Sequence, residues 1–373
     1  MKRAYVAVAA TVGLFVVVQV GALALVEPFM DAGYQAVEDP SDPTNSLLYV
    51  GAVLLATVVM LASIRLGVDR LLQALVVFAA TFIAFYVFSV VVPPVLTVAD
   101  VNVLAAGGAV ALAAGLLSHP EWYVIDAAGV VMGAGAAGIF GISFGLAPSL
   151  LLLLVLAVYD ALSVYGTEHM LTLASGVMEL WLPVVFIVPL TLSYSFLDAE
   201  GPATLDDHAE PGPGAGTDAG DDAGAGEGDG GGSAGDDGSA GEEDGGVSAS
   251  DDGSASEADA STDAEPPDPF ERDAFFVGLG DAVIPTVLVA SAAFFRPGGA
   301  ALLDVPAVAV TVPALGAMAG TLAGLVVLLW LVMKGRAHAG LPLLNGGAIA
   351  GYLLGALLVG VALVDAVGLA PYV

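Results

Sequence analysis

Long apolar runs alternate with short polar breaks along the whole chain, and each run has the length of a membrane crossing. Apolar runs cover residues 4–26, 46–64, 71–98, 101–117, 123–145 and 148–166, then, after a polar interval, residues 273–295, 302–333 and 341–367. A helix rises about 1.5 Å per residue, so about twenty apolar residues cross the ~30 Å of bilayer hydrocarbon. The pattern predicts an all-α membrane protein, a nine-span polytopic helical bundle. The first run is longer than the core of a usual signal peptide. It is read as a retained span despite a passable cleavage pattern at Ala22-Leu23-Ala24. Residues 182–196 are apolar but short and carry Pro183 and Pro189, which predicts an interfacial or re-entrant piece. Four regions follow: spans one to six in 1–166, a juxtamembrane and interfacial segment in 167–197, a linker in 198–272, and spans seven to nine in 273–373.

Composition sharpens the class. Of 373 residues 57% are hydrophobic, and mean hydropathy is +0.88, as a polytopic chain requires. Net charge is −31, but 24 of the 39 acids lie in residues 198–273, beside a single base, Arg272. That stretch of Gly, Ala, Ser, Asp and Glu cannot bury enough surface to fold, so it predicts a disordered acidic linker between spans six and seven. Such a charge balance argues against nucleic acid as a partner. Scarce lysine with abundant acids resembles the proteins of salt-loving archaea. Cysteine is absent and the four histidines have no ligand spacing, so no disulfide, metal or other cofactor is expected.

The bases orient the spans. With a cytoplasmic N-terminus, Lys2, Arg3, Arg65, Arg70, Arg272, Lys334 and Arg336 fall inside and only Arg296 outside. The expected placement is a multi-pass protein of the cell membrane, with the linker cytoplasmic and the C-terminus extracellular.

Two ionisable residues interrupt the apolar runs where they cost most. Asp160 lies about twelve residues into span six and Asp281 about eight into span seven, each roughly 9–12 Å from the cytoplasmic end. An acid within a span costs at least a few kcal/mol and marks a functional site by default. Gly278 and Gly280 precede Asp281, and Pro285 cannot donate to its carbonyl. Two carboxyls facing each other at matched depth share a proton; one then takes a proton from water while the other protonates a carbonyl oxygen. The same residues also suit a cation- or proton-coupled transporter or channel, or an idle scaffold with an acidic docking tail. No internal repeat between the two halves supports transport. Other polar residues read as secondary. Asp126 is a helix-end residue, Glu168 and His169 are juxtamembrane, Asp304 and Asp365 approach the extracellular side, and Asn345 is a partner for backbone near the site.

The motifs have a family resemblance. Tyr159-Asp160, followed by Ala-Leu-Ser-Val-Tyr and then Glu168-His169-Met170, resembles the YD-containing sixth span of presenilin-type intramembrane aspartyl proteases. Gly278-Leu279-Gly280-Asp281 is similar to the family's GxGD motif in span seven. Pro342-Leu343-Leu344, opening span nine, takes the place of its PAL motif, with Leu343 where the family has Ala. A literal Pro313-Ala314-Leu315 falls inside the predicted span eight, where the family has no such motif. The orientation is like that of presenilins, archaeal homologues above all, and opposite to signal peptide peptidases. The resemblance implies an intramembrane aspartic endopeptidase. Asp160 and Asp281 would be catalytic, Tyr159, Gly278, Leu279 and Gly280 would support the motifs, and Pro342, Leu343 and Leu344 would contact substrate. It implies transmembrane protein or peptide substrates within the lipid bilayer, with no obligate protein partner. The linker lacks an apolar stretch of the kind presenilins self-cleave, which argues against autoproteolysis.

Overall fold

The computed structural model describes residues 2–166, 184–190, 194–195, 274–296, 303–305, 308–334 and 339–369. The acidic linker, Glu168 and His169 lie outside the described residues. Helices α1 (Lys2–Asp31), α2 (Thr44–Arg65), α3 (Asp69–Val91), α4 (Val103–Ser118), α5 (Trp122–Ser143) and α6 (Leu146–Gly166) precede the linker. After it come α7 (Leu279–Phe294), α8 (Val312–Met333), α9 (Gly340–Leu358) and the short α10 (Leu363–Ala366). Seven of these are long and apolar enough to span a membrane; α4 and α7, with 16 residues each, are shorter. Helices α1 to α9 correspond in order to the nine predicted spans.

Three two-stranded antiparallel sheets were not predicted. They are β1 (Thr97–Val98) with β2 (Val101–Asn102), β3 (Val185–Pro189) with β4 (Ala274–Gly278), and β5 (Leu303–Val305) with β6 (Val308–Val310). They add a strand to one segment and correct the starts of two predicted spans. Residues 182–196 contain β3, because Val-Phe-Ile-Val is a β-branched and aromatic run that finds a matching run in Ala-Phe-Phe-Val. Span seven begins as a strand, and its helix starts only at Leu279. Span eight begins with the β5–β6 hairpin, and its helix starts at Val312, capped by Thr311, whose hydroxyl accepts from Ala314 N. Span nine also ends earlier than predicted. Gly360, at φ 79°, donates to the Leu357 carbonyl and Val361 to that of Ala356, a Schellman stop that only a residue tolerant of positive φ closes easily.

Helix α5 is the centre of the bundle. It packs on α1, α3 and α7 through a face of small residues. Where it crosses α7, a side chain on Gly141 would stand 2.3 Å from the Ala290 methyl, so the backbones meet closely. Helices α8 and α9 make the most extensive contact of all. A Cβ on Gly320 would lie 2.0 Å from the Gly347 carbonyl oxygen, and one on Gly324 2.4 Å from that of Leu343. Lipid offers no water to stray polar groups, so buried hydroxyls and amides tie helix to helix. Ser291 Oγ donates to Phe144 O at 2.9 Å, Ser46 Oγ to Pro148 O at 2.6 Å, and Asn345 Nδ2 to Leu153 O at 2.9 Å. The main apolar core, with Phe15, Val18, Leu156, Phe186, Leu279, Val283 and Leu344, lies between these helices and the β3–β4 sheet.

Candidate active site

Strand β4 leads directly into α7 through the GxGD motif. Gly278 is the last strand residue and the helix N-cap, and Leu279, Gly280 and Asp281 form the first helical turn. Leu279 is held twice. Its N–H donates to the Val184 carbonyl at 2.8 Å, and its side chain is seated against Gly133 of α5. Asp281 is therefore the third residue of a helix, not the eighth as the apolar run suggested. The five residues of β4, at about 3.3 Å each, carry the chain through the depth first assigned to helix. Asp160 lies six residues before the end of α6, about 9 Å from it.

Both carboxylates reach the first turn of α9. Asp160 Oδ2 accepts from Leu341 N at 3.0 Å. Asp281 lies against the preceding residue: a side chain on Gly340 would meet its Oδ2 at 3.3 Å and its Oδ1 at 3.5 Å. The two groups thus approach adjacent residues of one helix N-terminus. The first N–H groups of a helix have no partner within it and carry its positive end, so a carboxylate is a natural acceptor there. Pro342, third in α9, has no N–H and leaves none unpaired. Both aspartates are half-buried.

The remaining motif residues are spread around this point. Gly278 lies beside Asp281, where a Cβ would be 3.4 Å from Oδ2; Gly280 is exposed, with open space where a side chain would stand. Tyr159 is on the outer side of α6, 36% exposed. Leu343 sets its carbonyl against Gly324, and Leu344 is buried in the core. Asn345 bonds backbone, as expected, but that of α6. The literal Pro313-Ala314-Leu315 lies in the first turn of α8, directly after Val312. Pro313 packs against Gly355, at the opposite end of α9 from Gly340. Asp126 accepts from the backbone of β3, and Asp365 lies in α10 beyond the end of α9. Gly340 and the Leu341 amide were missed. The available signal was a glycine just before a proline-led helix start.

The family model described as signal-peptide peptidase, presenilin aspartyl protease matches residues 12–223 and 243–361. No curated protein matches. Two crystal structures of a presenilin family intramembrane aspartate protease are similar. The one in space group C222 is 31% identical over 94% of this chain and 99% of that one, with a TM-score of 0.57. The one in space group P2 is 30% identical over 94% and 97%, with a TM-score of 0.54. These matches favour proteolysis over transport. The chain belongs to the signal-peptide peptidase and presenilin family of aspartyl proteases and is an intramembrane aspartic endopeptidase.

Proposed function

We propose that Asp160 and Asp281 are the catalytic pair of this endopeptidase, and that its substrates are transmembrane segments of membrane proteins. The observation that carries this reading is the convergence of both carboxylates on Gly340 and Leu341. With one proton between them, the ionised carboxylate takes a proton from water as its oxygen bonds to the scissile carbonyl carbon. The protonated one gives its proton to the carbonyl oxygen. The resulting gem-diol collapses as the first aspartate returns a proton to the amide nitrogen and the C–N bond breaks. The second aspartate recovers its proton from a diol hydroxyl. A helical carbonyl is shielded by its own turn, so the substrate must unwind locally. The extended segment then lies along backbone near Pro342, Leu343 and Leu344 by strand addition, and the side-chain-free Gly280 leaves room for it. The N-terminus faces the cytoplasm and the C-terminus the exterior. The site then lies towards the cytoplasmic face, from which water enters.

The test is cleavage of a single-span substrate by the purified, reconstituted enzyme. Asp160→Ala and Asp281→Ala each lower the rate by about 10²–10⁴-fold, with folding unchanged. Proteolysis at the wild-type rate in either variant would refute the assignment.

A further inference from the structure

Asp126 is a carboxylate the mechanism does not use. It sits in the second turn of α5, only 8% exposed, and its Oδ1 accepts the Ile187 N–H of β3 at 2.8 Å. The direction of that bond follows from the sheet. Val185 pairs with Gly278, which sets Val184 opposite Leu279, and Leu279 N donates to Val184 O. Antiparallel pairs alternate between bonded and non-bonded, so Phe186 and Val188 bond towards β4 while Ile187 points its N–H away from it. Two positions further along that outer edge is Pro189, which has no N–H. Asp126 thus satisfies a donor that the sheet cannot.

The same helix face grips β3 a second time. One turn on, Gly129 receives the Phe186 ring, and a Cβ there would lie 2.8 Å from it. Just before α5, Glu121 Oε1 accepts from Ser195 Oγ at 2.6 Å, six residues past β3. The central helix therefore holds β3 by backbone, ring and following chain. Strand β3 in turn holds the start of α7, through Val184 O and Leu279 N, two residues before Asp281.

We infer that Asp126 is a positioning residue for the reaction: by accepting from Ile187 it fixes the β3–β4 sheet to α5 and so sets where Asp281 meets Asp160. The inference rests on the catalytic role assigned to those two aspartates. The acceptor oxygen is what matters, so Asp126→Asn keeps the function and Asp126→Leu, similar in size, removes it. Ile187→Pro breaks the same bond from the other side. It is compatible with the strand because that N–H does not face β4.

The test is kcat and KM of the full-length reconstituted enzyme, with active sites titrated by a transition-state mimic of aspartic proteases. Titration removes unfolded molecules from the count, so a purely structural role leaves kcat per site unchanged. Asp126→Leu and Ile187→Pro are each expected to lower kcat per site about tenfold, with KM changed less than threefold, while Asp126→Asn stays within threefold of wild type. Wild-type kcat per site in whichever of the two bond-breaking variants folds would overturn the inference. So would an Asn variant as slow as the Leu variant. Asp160→Ala and Asp281→Ala run beside them separate the two readings. If either cleaves at the wild-type rate, the catalytic assignment fails; if both are slowed about a hundredfold or more and Asp126→Leu is fully active, only the role of Asp126 fails.

Discussion

Gly340→Ala separates catalytic placement from stability, because it should move the two in opposite directions. The new methyl would stand 3.3 Å from Asp281 Oδ2, 3.5 Å from Oδ1 and 3.4 Å from Leu328 Cδ2. Leu328 closes one side, so the carboxylate must withdraw by a few tenths of an ångström. A misplacement of about 1 Å costs on the order of a hundredfold in rate, so this shift lowers kcat about three- to tenfold. Stability changes the other way. Gly340 does not have a positive φ, and Gly→Ala at such a position stabilises by about 0.4–1 kcal/mol through the unfolded chain. The assay pairs kcat per titrated site on a single-span substrate with the thermal unfolding midpoint. Slower cleavage with an unchanged or raised midpoint is expected, and Gly340→Val should be slower still. Cleavage at the wild-type rate, or activity falling in step with the midpoint, would refute the reasoning.

Gly320→Ala should destabilise the fold by about 1–3 kcal/mol, because its methyl would sit 2.0 Å from the Gly347 carbonyl oxygen, a backbone atom that cannot rotate aside; an unchanged unfolding midpoint would contradict the α8–α9 packing. Pro342→Ala should lower kcat/KM about tenfold, since it loosens the turn whose Leu341 N–H holds Asp160, while Pro313→Ala, beside Gly355 at the far end of α9, should leave cleavage near wild type. Equal effects of the two substitutions would remove the role given to the first turn of α9 in placing Asp160.

The order of the helices was legible because lipid imposes a crude and strong rule: about twenty apolar residues per crossing. The aspartates stood out for the same reason, as acids where acids are expensive. The ends of the elements were not legible. Ala274–Gly278 is as apolar as the helix it enters, and hydropathy alone does not separate a buried strand from a helix. The partner strand lies across the acidic linker, and only its pairing turns Ala-Phe-Phe-Val-Gly into β structure. Asp126 read as a helix-end acid because its partner, Ile187, is 61 residues away. Gly340 was overlooked because its role is to lack a side chain beside a carboxylate delivered by another helix.

These ends explain why the family motif takes the form it does. A carboxylate in the middle of a continuous helix is oriented by that helix alone. Here Asp281 follows a strand-to-helix switch, so its position is set by the sheet on one side and the helix on the other. Gly278 serves as both strand end and N-cap. The opposite wall is built differently. Close glycine contacts lock α8 to α9, and Asn345 ties α9 to α6 through Leu153 O. The turn at Gly340 and Leu341 is thus anchored to the same helix that carries Asp160. One aspartate sits on α6, which Asn345 ties to α9, and the other on α7, whose start is held by the sheet that α5 grips. Movement between the two parts would change the separation of the carboxylates without unfolding either. Substitutions at Gly320 should therefore act mainly on stability, and those at Asp126 mainly on rate.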